Sequence, residues 1–424
     1  MNAAATIEGV RISPVGAPLA GRVTLPGSKS ITNRALLLAG LARGTSRLTG
    51  ALKSDDTRWM AEALRVMGVS IDEPDETTFV VTGDGRLKEP ERALFLGNAG
   101  TATRFLAAAA ALVEGTVIVD GDQHMRLRPI GPLVDALKAL GVDATAPTGC
   151  PPVIIVGKGG LKGGRVEIDA SLSSQYVSAV MMAAGGAKGP VEVALTGPDI
   201  GARGYVDLTL AAMRHFGGVI EPIGNHAAWQ VQPTGYQAAD LFIEPDASAA
   251  TYLWGADILT GGAIDLGVAA ENFTQPDAAA WRTMKAFPHL PAEIDGSQMQ
   301  DAIPTIAVLA AFNATPVRFT GIANLRVKEC DRIAALSEGL NRIQPGLARE
   351  EGDDLIVSGD PNLKAAGATT RIRTFADHRI AMAFALAGLK VEGIVIEDPA
   401  CVAKTFPEYW DVLAGLGVGL EFGV

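Results

Sequence analysis

Apolar and polar positions along the chain keep two rhythms in turn. Stretches of small and apolar residues at helical spacing, such as ALLLAGLA from Ala35, give way to β-rich runs that close on Gly or Asp. The runs end at RLTG (Gly50), VIVDG (Gly121), EVALTG (Gly197), AIDLG (Gly267), VRFTG (Gly321) and VIEDP (Pro399), with spacings of 71, 76, 70, 54 and 78 residues. A second series interleaves with the first, each member an amphipathic helix that stops near Gly or Pro before another short strand. Its members start at Ala63 (ALRVMGVSI), Ala136 (ALKALGVDA), Ala212 (AMRHFGGVI), Thr283 (TMKAFPHLPAEI), Gly339 (GLNRIQPGLA) and Val412 (VLAGLGVGL). Two series of six marks in 424 residues predict six copies of one α/β unit, read as strand, helix, strand, helix, strand, strand. At about 70 residues the unit is too long for a simple solenoid, so three plus three copies in two globular domains facing across a cleft are expected. A domain crossing is placed between Leu241 and Pro245.

Composition narrows the class. With 48% hydrophobic and 20% charged residues the chain is not disordered. Its longest apolar stretches, such as Phe105 to Val113, fall well below the roughly 18–20 residues of a membrane span. MNAAATIEGVRISPVG is interrupted by Glu8 and Arg11 where a signal peptide would be apolar, so a cytoplasmic protein without membrane association is expected. Cys150, Cys330 and Cys401 are far apart and form no CxxC, which suggests neither a disulfide framework nor a zinc site. A net charge of -11 disfavours nucleic acid as a partner.

Against that acidic background, cations gather beside turns and helix starts. Leu25-Pro-Gly-Ser-Lys-Ser-Ile-Thr-Asn-Arg34 joins a turn at Pro26-Gly27 to a helix that Ser28 or Ser30 could cap, with Lys29 in its first turn and Arg34 further on. A helix start with a lysine is an anion site, although GSKS is not a P-loop and a solvated capped helix accounts for the segment alone. In Asn98-Ala-Gly-Thr-Ala-Thr-Arg104, Gly100 would let backbone N–H groups approach a ligand. Arg126 and Arg128 follow in HMRLRPIG, and Ser173-Ser174-Gln175 offers uncharged donors and acceptors. In RVKECDR, Arg332 stands one helical turn beyond Lys328, so a single turn could present both cations, with Glu329 beside them. Asp377-His378-Arg379 and Lys404 complete the set; Asp377 by itself reads as a helix cap or a partner for His378. Asp301 heads an apolar helix, where the dipole favours an acid. Seven cations (Lys29, Arg34, Arg104, Arg128, Arg332, Arg379 and Lys404), with Asp301, Glu329 and a lysine as candidates for proton transfer, point to cofactor-free group transfer between small anions. No metal-ligand cluster, Ser/His/Asp order or GxGxxG is visible.

Taken in order, LPGSKSITNRALLLAGLA, LFLGNAGTATR, RPIG, SSQ, RVKECDR, DHRIAMAFAL and AKTFPEY resemble the 5-enolpyruvylshikimate-3-phosphate synthase family over nearly the whole chain. The resemblance implies two similar domains, each of three βαβαββ units, with the active site in the interdomain cleft. One domain would hold residues 26–242 and the other 1–25 with 243–424, the chain crossing near Leu25 and near Ile243. It implies transfer of the enolpyruvyl group of phosphoenolpyruvate to the 5-hydroxyl of shikimate 3-phosphate, with no cofactor or metal, in a monomeric enzyme. By matching motifs, Lys29, Ser30, Arg34, Ser173, Ser174, Gln175, Arg203, Asp301, Asn324 and Lys328 should hold shikimate 3-phosphate. Lys29, Gly100, Arg128, Gln175, Arg332, Arg379 and Lys404 should hold phosphoenolpyruvate. Asp301 is assigned as base for the hydroxyl, and Glu329 with Lys29 to proton transfer at the methylene. The chain departs from the usual pattern at Ala202, where a serine commonly precedes Arg203, and at Leu325, Cys330 and Phe105. Gly100 is retained, so glyphosate is expected to compete with phosphoenolpyruvate. Two alternatives stand beside this reading: the sister enzymes acting on UDP-N-acetylglucosamine, whose reactive cysteine has no counterpart in HMRLRPIG, and a non-catalytic anion-binding relative.

Overall fold

The computed structural model describes residues 9–197, 203–224 and 227–424; Ala202 lies outside the described residues. The chain divides into two compact units, one of Pro26–Pro245 and one that joins the residues up to Leu25 to Asp246–Val424.

In the Pro26–Pro245 unit three sheets repeat one plan. Leu94–Phe95, Glu114–Asp120, Val153–Lys158 and Asp143–Thr145 form one, and Gly164–Asp169, Val191–Thr196, Ala228–Val231 and Ile220–Ile223 another. In each the first pair is parallel and the rest antiparallel. A parallel pair needs a crossover, which helices Gly100–Ala109 and Ser174–Ala184 supply. In the remaining sheet, Ala42–Thr49, Thr78–Asp84 and Ser70–Asp75 follow the same order. Its parallel partners come from Tyr236–Gln237 and Leu241–Phe242, so the end of the unit pairs with its beginning.

The second unit repeats the plan in Glu293–Asp295, Val317–Thr320, Asp354–Val357 and Ala348–Glu351. It does so again in Thr370–Ile372, Ile394–Glu397, Gly9–Ile12 and Leu420–Phe422, where the N-terminal strand takes the inner antiparallel place. The third sheet is only a parallel pair, Ala20–Arg22 with Ala263–Asp265. This corrects one reading of the periodicity. The strand that closes TMKAFPHLPAEI is not the hairpin strand of the fourth copy; Glu293–Asp295 opens the following sheet, parallel to Val317–Thr320. The fourth copy lacks its antiparallel hairpin, which accounts for the short spacing of 54 residues.

Strands such as Val153–Lys158 bury alternate residues, one face against helices and one toward solvent. The crossover helices are different. Gly100–Ala109, Ile303–Ala310 and His378–Gly388 are buried at every residue, which is why their sequences read as apolar runs and not as stripes. Gly100–Ala109 packs on Lys29–Leu41 and Ser174–Ala184; Ile303–Ala310 packs on Ala247–Thr260 and His378–Gly388. Gly255 permits one such approach, since a Cβ there would stand 2.6 Å from Leu386 Cδ1. In the Pro26–Pro245 unit Gly100–Ala109 thus packs against both other helices, in the second unit all three pack on one another, and the motifs GSKS, NAGT, SSQ, QDAI and ADHR fall at the starts of five of these six helices.

Candidate active site

In the Pro26–Pro245 unit, Ser28 takes extended backbone angles and its Oγ accepts from the N–H of Ile31, so it and not Ser30 caps helix Lys29–Leu41. Lys29 is buried, and its Nζ lies 3.4 Å from Oδ2 of Asp56, an acid in the first turn of helix Asp55–Val66. Arg34 is buried too. Its Nε donates to Thr209 Oγ1 (2.8 Å), Nη1 to the Ser30 carbonyl (2.9 Å), and Nη2 to Ser178 Oγ (3.3 Å) and the Tyr205 carbonyl (3.0 Å). Four of five donor hydrogens are thus spent on the protein, and Arg34 ties its helix to two others. Burial lowers its pKa to about 10, against the smaller opposing effect of Tyr205.

At the start of helix Gly100–Ala109, Arg104 donates to the Gly100 carbonyl (3.0 Å) and the Pro129 carbonyl (3.2 Å). Arg128 donates through Nη1 to Asn98 Oδ1 (3.2 Å). A Cβ on Gly100 would stand 2.7 Å from Arg104 Nη1 and 2.7 Å from Arg128 Nη2, so this position needs glycine for both guanidinium groups to close over the helix start. Gln175 Nε2 donates to Thr101 Oγ1 (3.3 Å), and Ser173 caps helix Ser174–Ala184 by accepting from the Gln175 N–H. Gly100, Arg128 and Gln175 are therefore brought together with Thr101, while Ser173 and Ser174 start the neighbouring helix. Arg126 is set apart, exposed and paired with Asp120. Arg203 opens helix Arg203–His215 with its guanidinium 5.6 Å from the Trp229 ring centroid.

The second unit gathers a denser cluster. Arg332 is almost fully buried and meets three carboxylates: Asp377 Oδ2 from Nε (2.8 Å), Asp301 Oδ1 from Nη1 (3.1 Å) and Glu329 Oε2 from Nη2 (2.6 Å). Asp301 Oδ2 also takes Arg379 Nη2 (2.8 Å), and Glu329 Oε1 takes Lys404 Nζ (2.9 Å). Three acids and three bases balance within one network. Burial disfavours the charge on Arg332, but Asp377, Glu329 and Asp301 outweigh it and hold its pKa above the usual value. Arg379 Nη1 donates to the Tyr252 hydroxyl (3.3 Å), whose own pKa burial pushes up to about 12. Asn324 is buried, and its Oδ1 has no hydrogen-bond partner among the described residues. Lys328 is half-buried nearby in sequence.

Two sequence readings are corrected here. Lys328 and Arg332 do not share a helical turn: Ala323–Val327 is a 3₁₀ turn, Lys328 follows it, and Arg332 begins helix Arg332–Ile343 with Asp331 as its cap. Asp377 does cap helix His378–Gly388 through the Arg379 N–H (2.8 Å), but it also anchors Arg332, a role the sequence did not reveal. Asp56 and Tyr252 were missed as well. Asp56 had only the weak signal of an acid in a helix's first turn, and Tyr252 lies inside an apolar helix with no signal at all.

The chain matches the family model of EPSP synthase (3-phosphoshikimate 1-carboxyvinyltransferase) over residues 14–413. It is 70% identical over 407 residues to the 3-phosphoshikimate 1-carboxyvinyltransferase of Rhizobium leguminosarum bv. trifolii, covering 96% of this chain and 97% of that one. It is 69% identical over 410 residues to that of Pseudomonas syringae pv. syringae, covering 97% and 98%. Among solved structures, the EPSP synthase of Acinetobacter baumannii superposes with a TM-score of 0.79 at 27% identity, over 98% of this chain and 99% of that one. With family model, relatives and fold in agreement over nearly the whole length, the chain belongs to the EPSP synthase (3-phosphoshikimate 1-carboxyvinyltransferase) family.

Proposed function

We propose a division of labour among these residues for the reaction that family membership gives the chain. The protein transfers the enolpyruvyl group of phosphoenolpyruvate to the 5-hydroxyl of shikimate 3-phosphate and releases phosphate, a step of the shikimate pathway to aromatic amino acids. UDP-N-acetylglucosamine is accordingly not its acceptor, and it is not a non-catalytic relative.

In the addition step the acceptor oxygen bonds to C2 of phosphoenolpyruvate, its proton leaves, and C3 gains a proton. In the elimination step the C2–O bond to phosphate breaks and C3 gives a proton back. Asp301 takes the hydroxyl proton, and Glu329, with Lys29, carries the methylene proton. Lys29, Gly100, Arg128, Gln175, Arg332, Arg379 and Lys404 serve phosphoenolpyruvate. Lys29, Ser30, Arg34, Ser173, Ser174, Gln175, Arg203, Asp301, Asn324 and Lys328 serve shikimate 3-phosphate, with Arg34 acting chiefly by fixing the helix start, since only one of its donor hydrogens is uncommitted. Positive charge beside C2 and the phosphate stabilises the charge that develops as the addition proceeds and as phosphate departs. The observation that carries this reading is Arg332 bridging Asp301 and Glu329, which puts both proton carriers on one buried cation.

Phosphate release from phosphoenolpyruvate and shikimate 3-phosphate tests the assignment. Glu329→Gln should lower kcat by about a hundredfold or more; a variant that turns over at the wild-type rate would remove Glu329 from the proton path. We further propose that the enzyme works as a monomer in the cytoplasm, a reading supported by its place in small-molecule biosynthesis. Light scattering on the purified chain tests the first part, with a dimer mass as the contrary result.

A further inference from the structure

The three carboxylates on Arg332 are not equivalent. Asp377 is fully buried, meets Arg332 chiefly from the Nε edge, and is held as a helix cap by the Arg379 N–H. Asp301 and Glu329 occupy the two terminal nitrogens instead, and their side chains keep 18% and 7% of their exposure. They also occupy the other two cations, Arg379 through Asp301 at 2.8 Å and Lys404 through Glu329 at 2.9 Å. Every cation assigned above to phosphoenolpyruvate in this unit is thus paired with a carboxylate assigned to proton transfer.

We infer that Asp301 and Glu329 are internal competitors for the anionic groups of phosphoenolpyruvate, and that substrate binding exchanges these ion pairs and releases the two carboxylates to act as proton carriers. The inference rests on the reading that Arg332, Arg379 and Lys404 bind phosphoenolpyruvate. A guanidinium holds its five donor hydrogens in one fixed plane, so Arg332 can keep Nε on Asp377 while its Nη hydrogens exchange the two carboxylates for substrate oxygens. Asp377 is then the anchor that lets the exchange happen without loss of the arginine's position. A carboxylate tied by two charge-assisted hydrogen bonds is a poor proton acceptor, and one whose cations have been taken by substrate is a better one. In this way proton-transfer capacity is withheld until the anion arrives, and some binding energy is spent on a step that serves the reaction.

The test uses the full-length enzyme with Asp301→Asn, Glu329→Gln and Arg332→Lys, all checked for an intact thermal transition. Steady-state phosphate release gives kcat and KM for phosphoenolpyruvate, and calorimetric titration with phosphoenolpyruvate alone gives its affinity without turnover. Removal of a competing charge should lower kcat while also lowering KM and Kd for phosphoenolpyruvate, by about threefold to tenfold. A residue that acts only in the chemical step would lower kcat and leave Kd unchanged. An unchanged or raised Kd in both acid variants, with Kd raised in Arg332→Lys, would overturn the competition. Arg332→Lys binding phosphoenolpyruvate as well as wild type would overturn the underlying assignment of the anion, a failure distinguishable from the first.

Discussion

Substituting Gly100 by alanine is a sharp perturbation because it adds one methyl carbon at a known place. That carbon would stand 2.7 Å from Arg104 Nη1 and from Arg128 Nη2. Ordinary contact begins at roughly 3.5 Å, so something must move by about 0.8 Å. Arg104 is held by the carbonyls of Gly100 and Pro129 (3.0 and 3.2 Å) and Arg128 by Asn98 Oδ1 (3.2 Å), so the added methyl must displace an anchored guanidinium. Overpacking of this kind costs about 1–3 kcal/mol. If that cost falls on the anion site, affinity for phosphoenolpyruvate drops by roughly fivefold to a hundredfold. Steady-state phosphate release should show KM for phosphoenolpyruvate raised by that factor, KM for shikimate 3-phosphate nearly constant, and kcat altered less than kcat/KM for phosphoenolpyruvate. Glyphosate, to which the family is a target, should inhibit the variant less in the same assay. A folded Gly100→Ala enzyme with wild-type KM for phosphoenolpyruvate would refute the placement of the anion at this helix start.

Three further outcomes follow from the contacts described. Asp377→Asn breaks a fully buried ion pair with Arg332 and should lower unfolding stability by about 3–5 kcal/mol in urea titration; a loss under about 1 kcal/mol would show that Arg332 does not depend on it. The Arg126 hydrogen bond, opposed by partial burial, holds the Asp120 carboxyl below the usual carboxylate range, so its contribution is present above the unfolded pKa near ~4 and lost as pH falls through the lowered folded value. Asp120→Asn should therefore destabilise at neutral pH and do so progressively less as pH falls below ~4, with a pH-independent effect refuting the linkage. Burial, aided by Asp377, pushes the Cys330 thiol well above its usual pKa, so mass spectrometry should find it unmodified by iodoacetamide at neutral pH while activity persists; rapid modification with loss of activity would contradict that environment.

The repeat was legible because each copy closes a parallel strand near a glycine or a proline after a helix, a local pattern that sheet pairing preserves at Gly50, Gly121, Gly197, Gly267, Gly321 and Pro399. The missing hairpin of the fourth copy was not, since a helix followed by a strand reads alike whether that strand ends one sheet or begins the next. Tyr236–Gln237 and Gly9–Ile12 were hidden for a related reason: each joins a sheet whose other strands are far off in sequence. At the site, helix-start motifs announce Lys29, Gly100, Gln175 and Arg379, because capping residues and glycine have local causes. Asp377 and Asp56 act through partners distant in the chain, Arg332 and Lys29, and local pattern cannot supply that pairing. RVKECDR was misread as one helical turn because Asp331, placed before Arg332, caps a helix that starts later than the charge spacing suggests.

The most direct test of the proton assignments follows the methylene hydrogen itself. Wild type, Asp301→Asn and Glu329→Gln would be run with phosphoenolpyruvate and shikimate 3-phosphate in D2O, and deuterium at the methylene of recovered substrate and product read by mass spectrometry. If Glu329 carries the methylene proton and Asp301 the hydroxyl proton, wild type incorporates deuterium at C3, and Glu329→Gln loses incorporation along with phosphate release. Wild-type deuterium incorporation in Glu329→Gln would contradict the assignment and move the methylene proton to another residue.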